Sequence, residues 1–526
     1  MGSLQKIQKI VSIIPLSIPA LVQCLSSHSI LANGSGIKNG ITKLRITSQY
    51  DVVRRMTDEN NPLLWQKVGG DIDGENLNDH SGFSVDISAN GKRVVIGAPD
   101  ANRSTGQTKI YEEIVNGEWF QVGDSIDGES ISDTSGESVA ISDDGKRVII
   151  GADGNDGNGD RAGHAQVFEE VNGIWKKVGN DIDGENIGDR SGRSVGMSSD
   201  GKRIIIGATK NGGNQYLSGH ARIFEEKDGE WLQIGDDIDG KTDREKFGAS
   251  VSMNMDGKRV IISNKAHGEV RVYEERNNAW FQVGADILGD EDDDGSGESV
   301  EISADGKRIV IGAPANDNNG YNSGNARIFE ETNGEWNQVG DNIDGEGTGD
   351  YFGTSVDMSS DGKRVIVGAM MNDGNNWFSS GHARVFEEIN RVWVQLGGDI
   401  DGEMEGAKSG CSVGINSDGT RLIVGAYMND GKKETAGHAR VFELDPLPIA
   451  SPTSAPVSPA VQVEDMPDSP KRSGVIIYAS IAAVIVVMIA IFVYYKHKRE
   501  AKSTRHRIRE ATNSYLTEEG RNSLSP

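Results

Sequence analysis

Tryptophan returns along this chain at a nearly fixed interval. Trp65, Trp119, Trp175, Trp231, Trp280, Trp336 and Trp393 stand 54, 56, 56, 49, 56 and 57 residues apart. Between them one phrase recurs. From residue 119 it runs WFQVGDSIDGESISDTSGESVAISDDGKRVIIGADGNDGNGDRAGHAQVFEEVNG, and Trp175 then opens the next copy. Self-similarity at this period confines the body to a propeller, a solenoid or an array.

Each copy holds four short runs that alternate or are rich in β-branched residues: SVAIS, KRVIIGA, HAQVFEE and WKKVG in the example. Runs of this length and pattern are strands. Between the first two stands Asn90-Gly91, Asp144-Gly145, Asp200-Gly201, Asp256-Gly257, Asp305-Gly306, Asp361-Gly362 or Asp418-Gly419. These dipeptides predict two-residue type I′ hairpins. Asn116-Gly117, Asn172-Gly173, Asp228-Gly229 and Asn333-Gly334 do the same between the third and fourth runs. The unit is therefore a four-stranded antiparallel meander, the blade of a propeller.

The phase of the repeats bears on closure. The series begins with a fourth strand, at Trp65–Gly69, and ends with a third, at Ala439–Leu444. The seventh blade thus lacks a strand that the start of the chain can supply, and pairing the two removes both open edges. The fold class expected is all-β: a seven-bladed propeller of four-stranded antiparallel blades over residues 63–445, closed by the N-terminal strand. One C-terminal transmembrane helix is expected beyond it.

Phe247-Gly248 and Phe352-Gly353 precede first strands, and Gly97-Ala98-Pro99 and Gly312-Ala313-Pro314 follow second strands. These motifs resemble FG-GAP repeats, the units of the seven-bladed propeller in integrin α chains; the SDGKR phrase also resembles WD40-like propeller repeats. The FG-GAP resemblance implies an extracellular platform for ligand binding or adhesion, often calcium-dependent. Family members that bind calcium carry a D-x-D-x-D-G loop between the first and second strands. Here a tight SDGK turn takes that place.

The two ends address the membrane. Residues 474–495, GVIIYASIAAVIVVMIAIFVYY, carry no charge, and about 20 such residues suffice for a helix to cross hydrocarbon. Seven of the next fourteen residues, starting with Lys496 and ending with Arg509, are basic, which places residues 496–526 in the cytoplasm as a basic tail. Lys6 and Lys9 followed by an apolar run predict a signal peptide over 1–30. An N-terminal segment, 31–62, follows it. Residues 446–473 hold seven of the chain's 13 prolines and read as an extended stalk. Asn33 and Asn102 lie in N-x-S sequons, candidate glycosylation positions on an exported chain.

Residues 58–445 carry 37 basic against 72 acidic side chains, and the whole chain has a net charge of −26. A surface of this sign excludes a nucleic-acid partner. Two cysteines, Cys24 and Cys411, cannot build a disulfide framework. The acids concentrate in a D-x-I-D-G-E phrase between blades, so Asp73, Asp127, Asp183, Asp239, Asp344 and Asp401 are the candidate ligand-binding face. Asp290, Asp292 and Asp294, followed by Gly295 and with Glu301 at the twelfth position, have the alternating oxygens of a calcium loop. Calcium is thus the candidate cofactor. His164, His220, His382 and His438 hold one repeat position just before the third strand. Rotation between blades keeps them apart, so they read as strand-start residues rather than ligands of one metal.

The function expected is that of a single-pass type I plasma-membrane protein whose propeller binds an extracellular protein or glycan, with calcium assisting. The rivals are a propeller glycosidase or lyase, for which a distinctive carboxylate pair around a pocket would speak, and a self-associating surface coat.

Overall fold

In a computed structural model the chain divides into two units, residues 1–448 and 449–526. The structure describes residues 64–444 except 115–116, 214, 292 and 375–377, all within the first unit. The signal peptide, the 31–62 segment, Asn33, Asp292, the stalk, the apolar span 474–495 and the tail lie outside the described residues. No described helix is long and apolar enough to cross a membrane.

Seven antiparallel meanders make up the body. The second blade is representative: Ser138–Ile141, Arg147–Ala152, His164–Val171 and Ile174–Lys177 pair in chain order. The second strand is buried along nearly its whole length, as the RVIIGA composition requires of a strand covered on both faces. The last blade consists of Ser412–Ile415, Arg421–Ala426 and His438–Leu444, with Trp65–Lys67 as its outer strand. Trp65 pairs with Leu444, Gln66 with Glu443 and Lys67 with Phe442. The expected closure is present.

Neighbouring blades share seven apolar cores. One joins Val68, Ile72 and Val441 of the last blade to Val85, Val94 and Ile96 of the first. Each repeated tryptophan wedges at the edge of such a core and donates its indole N–H to a carbonyl of the preceding blade. Trp119 reaches Val68 at 2.9 Å, Trp231 reaches Val178 at 2.8 Å and Trp65 reaches Leu396 at 2.8 Å. On the opposite edge, each SDGKR arginine donates to a glycine carbonyl of the following blade, as Arg147 does to Gly201 at 3.3 Å. Arg421 completes the circle by donating to Gly91 of the first blade.

The glycine of the GAP motif has a steric cause. A Cβ on Gly312 would lie 2.1 Å from the carbonyl oxygen of Gly353 in the next blade, so only glycine permits that approach.

Two features differ from expectation. The first hairpin is not type I′: Gly145 has φ +71°, but Asp144 is not among the positive-φ residues. Instead Gly145 N–H donates to the Ser142 carbonyl at 2.8 Å, and the Asp144 carboxylate accepts from Ser142 Oγ at 2.9 Å and Lys146 N–H at 2.9 Å. The aspartate side chain thus holds a longer turn with a negative φ at its own position. The Asn172-Gly173 turn, with φ of +57° and +78°, does have the expected conformation. Second, the fourth strand is split. After Ile174–Lys177 the chain bulges at Gly179 (φ +71°) and rejoins the same partner at Ile182–Asp183, which pairs with His164–Ala165. Bulges of this kind re-aim side chains.

Trp231→Phe is expected to cost about 1 kcal/mol through the lost hydrogen bond. Trp231→Ala is expected to cost about 3 kcal/mol through lost packing as well. Urea unfolding of the two variants measures both, and equal midpoints would refute the wedge.

Candidate functional site

The split fourth strand and the loop after the second strand emerge on one face, as the blade topology requires. There the acidic phrase appears in six blades, Leu288 taking the aspartate's place in the fourth. Asp73, Asp127, Asp183, Asp239, Asp344 and Asp401 pair in register with His438, Gln107, His164, His220, Asn325 and His382. They form a circle of separate positions rather than one converging site. Much of their work is internal. Gln107 Nε2 donates to Asp127 at 2.6 Å, and the backbone carbonyls of Asp183, Asp344 and Asp401 accept from Arg222, Arg384 and Arg440 of the following blades at 2.6–3.0 Å.

Four residues past the phrase's glutamate position, a further acid turns inward. The Asp133 carboxylate accepts from Ser130 N–H at 2.7 Å and Asn155 Nδ2 at 3.1 Å; Asp189 and Asp350 accept from equivalent amides. Asp294 belongs to this series. It is buried and accepts from the N–H groups of Asp290 at 2.9 Å and Ser296 at 2.8 Å. Asp290 pairs with Arg327 at 3.1 Å and with Asn342 at 2.7 Å. Glu301 lies elsewhere, on the first strand of the fifth blade. Asn102 is exposed, within the short helix Ala101–Ser104.

One concavity gathers residues from five successive blades and opens on the propeller axis. Phe83, Glu137, Arg193, Ala249 and Glu298 hold the same position, just ahead of the S-V pair, in five successive blades, and all line one cavity of about 480 Å³. Arg190, Lys210, Lys246, Lys265 and Asp153 complete most of its wall. Five cationic side chains therefore meet three carboxylates at the centre of an acidic body. Arg193 pairs with Glu137, Arg190 with Asp153 at 3.0 Å and Lys265 with Glu298 at 2.6 Å. Lys210 and Lys246 make no ion pair among the described residues. The neighbouring Arg190 charge pushes the Lys210 ammonium below its usual pKa, which marks a positive local potential.

Deeper on the axis, first strands of the blades line a narrow channel of about 240 Å³. Three acids project into it at one repeat position: Asp86, Glu301 and Asp357. Each satisfies groups at the exposed strand edges. Asp86 accepts from Ile141 N–H at 2.8 Å, Asp357 accepts from Ile415 N–H at 2.6 Å, and Glu301 accepts from the Ser252 hydroxyl and Ile302 N–H. Burial pushes the Asp86 carboxyl up to about 6 and that of Glu301 up to about 7; burial and the neighbouring carboxylates raise Asp357 as well.

The axial cavity and channel were not singled out from sequence. The signal that finds them is a position that varies within an otherwise regular repeat, such as Arg193 against Glu137 or Asp357 against Gly414.

The FG-GAP repeat model matches residues 126–168 and 343–386, so the chain carries FG-GAP repeats on a seven-bladed propeller. No curated protein matches it. Among solved structures, a 6-phosphogluconolactonase-like protein from Bacteroides uniformis is 15% identical with a TM-score of 0.46, over 64% of this chain and 89% of that one. A similar protein from Bacteroides fragilis is 15% identical with a TM-score of 0.44, over 63% and 86%.

The raised channel carboxyls carry a pH dependence. Between about pH 4 and 7 the folded chain holds protons that the unfolded chain has released, so stability falls as pH rises through 6 to 7. Glu301→Gln keeps an acceptor oxygen for Ser252 and Ile302 yet cannot ionise. It is expected to lose less stability than the native chain between pH 5 and 8, by on the order of 1 kcal/mol. Urea unfolding across that range measures it; identical pH slopes would contradict the assignment.

Proposed function

We propose that this propeller is an extracellular recognition module that binds an anionic group of a protein or glycan ligand at its axial mouth. The observation that carries the reading is the excess of cationic side chains around one cavity in a chain of net charge −26. An isolated positive site in an acidic surround selects a ligand by charge at the point of contact and repels it elsewhere, a pattern that favours specificity over raw affinity. Lys210 and Lys246 supply the direct contacts. The Arg193–Glu137 and Lys265–Glu298 pairs hold the wall in place around them. Ligand substituents of the fitting chemistry are carboxylate, sulfate and phosphate.

The membrane setting of this reading comes from the apolar span 474–495, the basic tail and the N-terminal apolar run. Calcium remains the candidate cofactor of this reading at Asp290 and Asp294, whose carboxylates also accept from Arg327 and from backbone amides respectively.

Screening the full-length chain against sulfated, sialylated and neutral glycans tests the proposal. Binding is expected for anionic members only, weakening as salt rises. Lys210→Glu combined with Lys246→Glu is expected to reduce it on the order of tenfold or more. Unchanged binding by the charge-reversed variant would sink the assignment to the mouth.

A further inference from the structure

The four histidines that open third strands each sit beside two carboxylates. His164 stands with Glu129 and Asp181, His220 with Glu185 and Asp237, His382 with Glu346 and Asp399, and His438 with Glu403 and Asp71. In each group one nitrogen and two oxygens lie within 4.8 Å of one another. The split fourth strand creates the arrangement: its bulge brings the aspartate just ahead of the isoleucine beside the imidazole, and the glutamate arrives from the preceding blade.

The groups differ in what lies two residues further along the third strand. Arg222, Arg384 and Arg440 hold that position in three blades, and the guanidinium of each lies 3.3–3.9 Å from the glutamate of its group. A buried fixed cation there already neutralises the carboxylates. In the second blade the residue is Gln166. Its Nε2 bridges Glu129 Oε1 at 2.9 Å and Asp181 Oδ1 at 2.8 Å, and no arginine accompanies it. The one nearby cation that the structure records is the Lys177 ammonium, half exposed, at 2.8 Å from Asp181 and 3.9 Å from Glu129.

His164 is 2% exposed, and among the described residues no hydrogen bond of its ring is recorded. The closest acid to its Nδ1 is Asp183, at 3.9 Å. One ring nitrogen lies within 4.8 Å of an oxygen of Glu129 and an oxygen of Asp181, a spacing at which one ion can be held by all three. Glu129, Gln166 and Lys177 also line a surface cavity of about 440 Å³, which gives the group access to solvent.

We infer that Glu129, His164, Asp181 and Gln166 form a binding site for one divalent transition ion of the zinc type. Imidazole nitrogen with carboxylate oxygen is the donor set such ions take. Turning the Gln166 amide over puts its oxygen where its nitrogen now bridges the two carboxylates, as a fourth ligand. Lys177 withdraws to solvent as the ion enters. The other three groups are the same scaffold with arginine in place of the ion.

Equilibrium dialysis of the full-length chain against zinc, with cobalt as a spectroscopic probe, tests this. Histidines outside the group are controlled by comparing variants. The native chain is expected to bind one equivalent more than Glu129→Gln or Gln166→Arg, with affinity at the site lowered at least about 100-fold in each. Glu129 is exposed, and Gln166→Arg copies what five other blades already contain, so both variants keep the fold. His382→Ala is expected to leave the equivalent intact. Zinc uptake that is absent from the native chain, unchanged in Gln166→Arg, or lost in His382→Ala would overturn the inference.

Discussion

The pairing of Trp65–Lys67 with His438–Leu444 is the constraint on which the rest of this body depends. Without it the final sheet would end at a third strand with an open row of amides and carbonyls, and the outer strand of the chain's start would have no partner. With it every blade has two neighbours. Two circles of inter-blade hydrogen bonds then close, one through indole N–H groups and one through the SDGKR arginines, each spanning the junction between the last and first blades. Closure also decides what equivalent residues can do. Positions near the axis converge from many blades, whereas positions further out stay apart, one per blade.

This geometry turns departures from the repeat into the informative part of the chain. Seven identical residues at an axial position would make a uniform ring; here the position before the S-V pair varies, and the variation builds a cationic wall from Arg193 and its neighbours. The channel beneath takes acids from three blades and small residues such as Ala140 and Gly196 from others. Far from the axis, the exchange of arginine for Gln166 changes one group of ligands in four. Uniform residues hold the propeller together, and the exceptions give it chemistry.

The legibility of the sequence follows the same division. Blade number, strand order and closure were readable because tryptophan, the DGKR turn and the VFE strand repeat with a clear phase. The type I′ reading of the first hairpin failed because an Asp-Gly pair does not reveal whether the aspartate carboxylate will hold the turn, as Asp144 does. The split of the fourth strand was hidden in a glycine whose positive φ interrupts pairing for a few residues. The acidic phrase drew attention because it repeats, yet that same repetition spreads its aspartates around the circle and gives them structural partners. The axial cavity escaped notice because its lining is scattered over five repeats, from Phe83 to Glu298.

Ring closure is most directly measured by pairing Gln66→Cys with Glu443→Cys, positions that face each other across the last sheet. Mild oxidation of a closed propeller is expected to join the two introduced thiols within one chain, since facing residues of an antiparallel pair lie within disulfide reach. Peptide mapping should locate the bond, and the unfolding midpoint should rise. A chain in which these thiols stay reduced, or link only between molecules, would contradict the closed ring and with it the axial site.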